Sequence, residues 1–328
     1  MKIAVVGATG LVGREMLTVL SERGFGDAEV IAAASPKSVG KEIDFAGRRL
    51  TVTSVDDAIA QRPQYAIFSA GAAASREYAP RFAAVGTTVI DNSSAWRKDP
   101  DIPLVVPEIN INAVKGSDRI IANPNCSTIQ MVLAISALQR EYGIRRLVIA
   151  TYQSITGTGI KAVRQLEAEE QGITPTERAY ANPIHRNLFP HGGDFQPDGY
   201  TTEEQKLVDE TRKIFGDPSI QITATVVRVP VVGGHSEAVN VELRRDYDLD
   251  EVRRLIAKTP GVIFYDDPAA NKYPMPILSH HRDEVWVGRL RRDFSQHNSL
   301  NLWVVADNIR KGAATNAIQI MEELIGDR

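Results

Sequence analysis

The most constraining stretch is "MKIAVVGATGLVGREMLTVL", where an apolar run of strand length ends at Gly7 and a helix-spaced apolar face follows. Gly7, Gly10 and Gly13 fall three apart at the join. Glycines there permit a tight turn and let backbone N–H groups approach a pyrophosphate, which then sits on the helix N-terminus. The spacing alone would also suit any tight turn. The strand before it, and the helix with Leu11, Val12, Met16, Leu17 and Leu20 after it, make it a predicted dinucleotide site. Further short strands are expected at 28–35, 65–71, 87–94 and 104–108, with helical stretches such as Ser75–Val85 between them. Strand and helix in alternation imply parallel pairing in a doubly wound sheet.

Which dinucleotide is preferred turns on the end of the second strand. NAD-selective sites usually place a carboxylate there for the ribose diol. This chain has "AAASPKSVGK", with Ser35, Lys37 and Ser38 in that region. Hydroxyls and an ammonium suit a 2′-phosphate, which favours NADP; a polar loop with an incidental lysine is the alternative. The tyrosine–lysine pair of short-chain dehydrogenases is missing: the nearest case is Tyr142 with Arg146, and arginine does not titrate.

After a helix opening at Cys126 the texture changes to longer, partly alternating strands, as in "RRLVIATYQSITGTG", "EVWVGRLRRD" and "SLNLWVVADN". These predict a mixed or antiparallel sheet. Residues 172–199, rich in Pro, Asn, His and Gly, read as a long surface excursion. A final helix, with Ile318, Met321, Leu324 and Ile325 at core spacing, could return to the first domain. The expected fold is α/β, a Rossmann-type domain at 1–125 plus 309–328 and an α+β domain at 126–308. Length suits two cores, and a dispersed net charge of −3 invites neither nucleic acid nor an anionic membrane. The short apolar N-terminal run does not fit a signal peptide, and no apolar run approaches a membrane span, so a soluble cytoplasmic protein is expected.

Cys126 is the only cysteine among 328 residues, which excludes an intrachain disulfide and a thiolate metal cage. It follows the turn-forming Asn-Pro-Asn and precedes Ser127 and Thr128, so its sulfur is expected at a helix N-terminus, where a thiolate is favoured. Nucleophile and inert thiol are both open from this alone. A nucleophile needs a proton handler and a substrate anchor. "VVRVPVVGGHSEAV" offers Arg228, a fork for a carboxylate, and His235, which titrates near neutrality; a proline and two glycines between them allow a bend. A surface histidine after a turn is the alternative. Gln153 and the glycines 157 and 159 close another strand, while Arg97 lies just past the fourth. Glu203 and Lys206, three apart on a helix, would otherwise be a solvated ion pair. No histidine shows metal-ligand spacing, so no metal is expected.

"GATGLVG", "FSAG", "DNSSAWR", "PLVVPEIN", "NPNCST", "QSITGTG", "EEQK", "RVPVVGGHSE" and "DNIRKGAATNAIQI" together resemble the bacterial aspartate-β-semialdehyde dehydrogenase family, from residue 3 to about 320. The plan also resembles glyceraldehyde-3-phosphate dehydrogenase. The resemblance implies that Cys126 forms an acyl-thioester, His235 is the acid/base, and Gln153 and Asn125 orient the thioacyl group. It implies Arg228 for the substrate α-carboxylate, Glu203 for its amine, and Arg97 and Lys206 for phosphate. Gly7, Thr9, Gly10, Leu11, Val12, Gly13, Ser35, Lys37, Ser38, Thr156, Gly157 and Asn308 would line NADP(H).

The implied activity is reduction of aspartyl phosphate to aspartate semialdehyde and inorganic phosphate by a homodimer, on the branch to lysine, threonine and methionine. Two departures stand out: Thr156 where the family usually has serine, and His185 with Arg186 in the 172–199 excursion, where smaller or aromatic residues are expected. A different acyl reductase, such as one acting on N-acetyl-glutamyl phosphate, is one alternative. A noncatalytic NADP-binding regulator is another.

Overall fold

The computed structural model describes residues 1–326. The chain divides into two compact units: Met1–Asn125 together with the chain from Ala313, and Cys126–Gly312.

In the first unit β1 (Lys2–Val6), β2 (Glu29–Ala33), a hairpin of β3 (Glu42–Phe45) and β4 (Arg48–Thr51), β5 (Tyr65–Phe68), β6 (Thr88–Asp91) and β7 (Ile120–Ala122) alternate with helices. The helices are α1 (Leu11–Leu20), α2 (Val55–Ala60), α3 (Ala72–Ala84) and the single turn α4 (Pro107–Asn110). Five strands form one parallel sheet in the order β2-β1-β5-β6-β7. Alternation along β1 sends Ile3 and Val5 to a core with Met16 and Leu20 of α1 and Ile318 and Met321 of the C-terminal helix, Thr315–Gly326. Ala4 and Val6 point the other way, toward Ile59, Phe68 and Phe82. Both faces are covered, which is why these strands read as unbroken apolar runs. Phe82 is fully buried, edge-on to Phe68 at 5.5 Å, and truncating it to alanine would cost about 3–5 kcal/mol.

The strand expected at 104–108 is not formed. Leu104 makes an isolated bridge to Ala122, and Pro107 opens α4. Proline has no N–H for a ladder but suits a first helical position. The edge strand of this sheet is instead β7, whose three residues are too short to show a period.

The second unit holds a six-stranded mixed sheet in the order β11-β12-β13-β10-β8-β9. Its strands are β8 (Ile144–Ser154), β9 (Gln221–Val229), β10 (His235–Leu243), β11 (Val262–Phe264), β12 (Val285–Arg292) and β13 (Ser299–Ala306). β8 pairs parallel with β9 and antiparallel with β10. Helix α5 (Cys126–Tyr142) is buried continuously from Ser127 to Leu138, so it shows no polar stripe. It is followed by α6 (Ile160–Glu170), α7 (Thr202–Phe215), α8 (Leu249–Ala257) and the turn α9 (Pro276–Ser279). Thr201 and Glu204 form a reciprocal capping box on α7.

The 172–199 excursion is mostly exposed, but it is pinned at two places. Glu169 accepts the N–H groups of Ile184 and His185, and Phe189 exchanges backbone hydrogen bonds with Arg228 on β9. Ile184 is fully buried in a small cluster with Ile155, Ala162 and Leu166. Among the described residues no helix is long and apolar enough to cross a membrane.

Candidate active site

In the first unit the candidate ligand groups collect at the carboxyl edge of the parallel sheet, where open α/β sheets bind ligands. Gly7 leaves β1 with φ +90° and donates its N–H to Ala33 O of β2 at 2.8 Å. A Cβ on Gly7 would lie 2.3 Å from Ser69 O, and one on Gly13 would lie 2.1 Å from Gly7 O. Both glycines are therefore demanded by backbone meeting backbone. Gly10 precedes α1, and no side chain caps that helix, so the amides of Leu11, Val12 and Gly13 face its open end. Thr9 Oγ1 reaches Ser38 Oγ at 3.4 Å, joining the glycine turn to the 36–38 turn after β2. Ser35 and Lys37 beside it are exposed. The cradle thus fits a dinucleotide: an uncapped helix start, a close-approach turn, and hydroxyls with an ammonium at the ribose end.

Arg97 and Asn125 occupy loops that leave the neighbouring strands β6 and β7. Arg97 is buried and donates from Nη2 to Asn92 O at 2.8 Å. Below it Asp91 accepts from Ser93 Oγ and the Ser93 N–H, while burial pushes its carboxyl above the usual range. Asn125, also buried, directly precedes the nucleophile candidate in the chain.

In the second unit Cys126 is the first residue of α5 and is partly exposed. A Cβ on Gly312 would lie 2.8 Å from Cys126 Cβ, so that glycine lets the 307–312 segment cross beside the cysteine. Ser127 Oγ accepts from Gln153 Nε2 at 2.8 Å, tying the end of β8 to the start of α5. Gln153 stands opposite Arg228 in the β8–β9 register. Arg228 Nη1 donates to Ser154 O at 2.6 Å, and the Ser154 N–H donates to His235 Nδ1 at 3.0 Å. One backbone unit therefore holds both the guanidinium and the imidazole. Gly157 confirms the convergence: its Cβ would lie 3.1 Å from Arg228 Nη1 and 3.1 Å from His235 Cε1. The bend through Pro230, Gly233 and Gly234 brings together residues seven apart.

His235 is fully buried, not the surface histidine that its turn context also allowed. Because Nδ1 accepts from Ser154, the proton of the neutral ring sits on Nε2, and Nε2 has no partner among the described residues. Burial first, and Arg228 second, push its pKa from 6.5 down to about 3, while the Glu203 carboxylate pulls the other way. Glu203 is itself buried and accepts from Lys206 Nζ at 2.8 Å. That pair is sheltered, with side-chain exposures of 11 % and 27 %, rather than solvated. Thr156 Oγ1 donates to Asn308 Oδ1 at 3.0 Å and also meets Ser154 Oγ at 2.7 Å. The hydroxyl that threonine shares with serine is the atom in use.

Sequence inspection did not find Ser154, which acts through its backbone and leaves no side-chain signal. It also missed Gln130, whose spacing of one helical turn from Cys126 was the available clue; its Nε2 donates to His235 O at 3.2 Å. His280, His281 and Asp307 form a group with one ligand atom each within 4.8 Å, a clustering that spacing did not suggest. Asp307 Oδ2 takes the His281 N–H and meets His280 Nδ1, and Oδ1 takes the Ile309 N–H. The carboxylate is thereby occupied in shaping the turn after β13.

Residues 2–117 match the family model for the semialdehyde dehydrogenase NAD binding domain, and residues 135–311 match that for the semialdehyde dehydrogenase dimerisation domain. Fold and site thus define a two-domain oxidoreductase of the semialdehyde dehydrogenase class. The chain is 48% identical to an aspartate-semialdehyde dehydrogenase of Aquifex aeolicus, covering 99% of this chain and 98% of that one. It is 47% identical to one from Legionella pneumophila over 99% and 95%. An aspartate semialdehyde dehydrogenase II from Vibrio cholerae, solved in complex with ASA, superposes with a TM-score of 0.95 at 43% identity, covering 99% and 98%. The chain belongs to the aspartate-semialdehyde dehydrogenase family.

Proposed function

We propose that the enzyme uses NADPH to reduce L-aspartyl 4-phosphate to L-aspartate 4-semialdehyde, releasing inorganic phosphate, as a cytoplasmic homodimer in lysine, threonine and methionine biosynthesis. The Vibrio cholerae relative solved with ASA supports the substrate class. The observation that carries the reading is the joint approach of Arg228 and His235 to Gly157, in the unit that opens on Cys126.

Arg228 grips the substrate α-carboxylate with its planar fork, and Glu203 receives the amine. Cys126 thiolate attacks the acyl carbon; the C–S bond forms, the C–O bond to phosphate breaks, and phosphate leaves toward Arg97 and Lys206. Asn125 and Gln153 orient the thioacyl group, and N–H groups at the α5 start stabilise its oxyanion. NADPH, when bound, supplies the hydride that reduces the thioester carbonyl. His235 handles the proton as the resulting thiohemiacetal loses its C–S bond, regenerating thiolate and releasing aldehyde. NADP rather than NAD is favoured by Ser35, Lys37 and Ser38 and by the lack of a carboxylate after β2. Gly7, Thr9, Gly10, Leu11, Val12 and Gly13 hold the pyrophosphate region, and Thr156, Gly157 and Asn308 complete the cofactor set.

The decisive assay follows phosphate-dependent NADPH formation from aspartate semialdehyde, beside N-acetylglutamate semialdehyde and with NAD as the competing oxidant. Turnover is expected with the former aldehyde, phosphate and NADP. Cys126→Ser is expected to fold and bind NADPH while losing about 10⁴-fold or more in kcat. A serine variant with undiminished turnover would refute the covalent route, and preference for the acetylated aldehyde would refute the substrate.

A further inference from the structure

Two residues past His235 on β10, Glu237 is fully buried, and the mechanism above gives it nothing to do. Alternation along β10 puts it on the same face as His235, the face turned toward α5. Gln130, one turn into α5 from Cys126, lies against its carboxyl. The same Gln130 amide donates from Nε2 to the backbone oxygen of His235. Across the strand pair, Glu237 stands opposite Thr151 of β8, which is equally buried. Neither Glu237 oxygen, nor Gln130 Oε1, nor Thr151 Oγ1 has a hydrogen-bond partner among the described residues. A carboxyl is an expensive thing to place in such surroundings, and apolar residues of its size would pack there at lower cost.

We propose that Glu237 is a positioning residue: its carboxyl, through Gln130, holds the strand end carrying His235 in register with the helix start carrying Cys126. The proposal rests on the roles given above to those two residues. Burial raises the Glu237 carboxyl well above the usual carboxylate range, which favours the neutral acid. In that state it has a hydroxyl to donate, with Gln130 Oε1 and the Thr151 oxygen opposite it as the unpartnered acceptors beside it. Tyr152 follows Thr151 on β8; on β10 and α5 the titratable groups within two residues of Glu237 or one turn of Gln130 are His235 and Cys126. A negative charge near them would favour imidazolium and disfavour thiolate, and the neutral acid adds no such charge.

The test compares Glu237→Gln, which keeps an uncharged hydrogen-bonding group, with Glu237→Met, which keeps the volume and removes the polarity. Glu237→Met is expected to lower kcat about tenfold with both KM values within about twofold, because a small misalignment of reacting groups costs rate before it costs binding. Glu237→Gln is expected to recover kcat to within about threefold of wild type. The thermal midpoint of Glu237→Met should be no lower than that of wild type. Wild-type kcat in Glu237→Met, equal damage in both variants, or a rate that falls only in step with the midpoint each overturns the proposal. If Glu237→Met does not fold, Gln130→Met takes its place: the same loss of kcat supports the proposal and an unchanged kcat overturns it. Failure of the covalent reading is seen separately, as turnover by Cys126→Ser.

Discussion

The glycine turn of the first unit and the Arg228–His235 cluster of the second are built from different parts of the residue. At the turn the working groups are backbone amides, and the glycines are needed because main chain meets main chain: Gly7 against Ser69, Gly13 against Gly7. In the cluster the working groups are side chains, and Gly157 is needed because the ends of Arg228 and His235 fill the space a Cβ would take. A backbone site is written in local spacing and fails by losing its shape. A side-chain site is written in strand register and fails by losing its aim.

The largest expected effect follows from the first half of that contrast. Gly7→Ala combines a φ of +90° with a Cβ 2.3 Å from a backbone oxygen, which no side-chain rotation relieves. Strain of about 1–3 kcal/mol at the site, and a displaced turn, should lower the thermal midpoint and weaken NADPH binding together. Equilibrium titration and thermal unfolding measure both. Wild-type affinity in the variant would break the backbone account of the site.

Gly157→Ala should behave differently. Its φ is not in the left-handed region, and the atoms its Cβ would meet are side-chain ends 3.1 Å away. A displacement of a few tenths of an ångström at Arg228 and His235 should lower kcat/KM about 10- to 100-fold while the thermal midpoint stays within a few degrees. If the midpoint falls as far as in Gly7→Ala, the two sites do not differ in the way argued.

The same contrast explains what could be read from the sequence. Gly7, Gly10 and Gly13 gave their structure away because strand, turn and helix are contiguous, and the flanking apolar runs fixed the parallel sheet. Strand 104–108 misled because "LVVPE" is apolar and β-branched, and the proline that ends its chance of pairing is only its fourth residue. Arg228 and His235 were legible as a pair through the Pro-Gly-Gly bend. Ser154 was not, since a main-chain N–H that orients a histidine can belong to any residue. Nor was Glu237: period-2 alternation marks position 237 as inward-facing, and an inward glutamate reads as an error in the pattern until Gln130 is found beside it.

The smallest expected effect concerns the charge state of His235, and it sharpens the comparison because no equivalent group stands at the glycine turn. His235 is held neutral in the folded chain, with its pKa at about 3. In the unfolded chain an ordinary histidine titrates near 6.5, so below that pH the unfolded state binds a proton that the folded state refuses. Stability therefore falls as pH drops through 6.5, and the loss stops growing only near pH 3. Measured against His235→Gln, which shares the other titrating groups, wild type should lose about 2 kcal/mol between pH 7.5 and 5. Parallel curves would mean that the folded state accepts the proton.

The groups facing the ring set the next step. Arg228 lowers its pKa and Glu203 raises it. A carboxylate bound to Arg228 removes part of the lowering without touching the burial, so a bound α-amino acid should make the wild-type curve shallower. With Arg228→Lys, whose point charge cannot hold a carboxylate by two parallel hydrogen bonds, that ligand-induced flattening should be lost at the same ligand concentration. Flattening of equal size in both proteins would show that the carboxylate is held elsewhere, and would detach the charge of His235 from the binding of substrate.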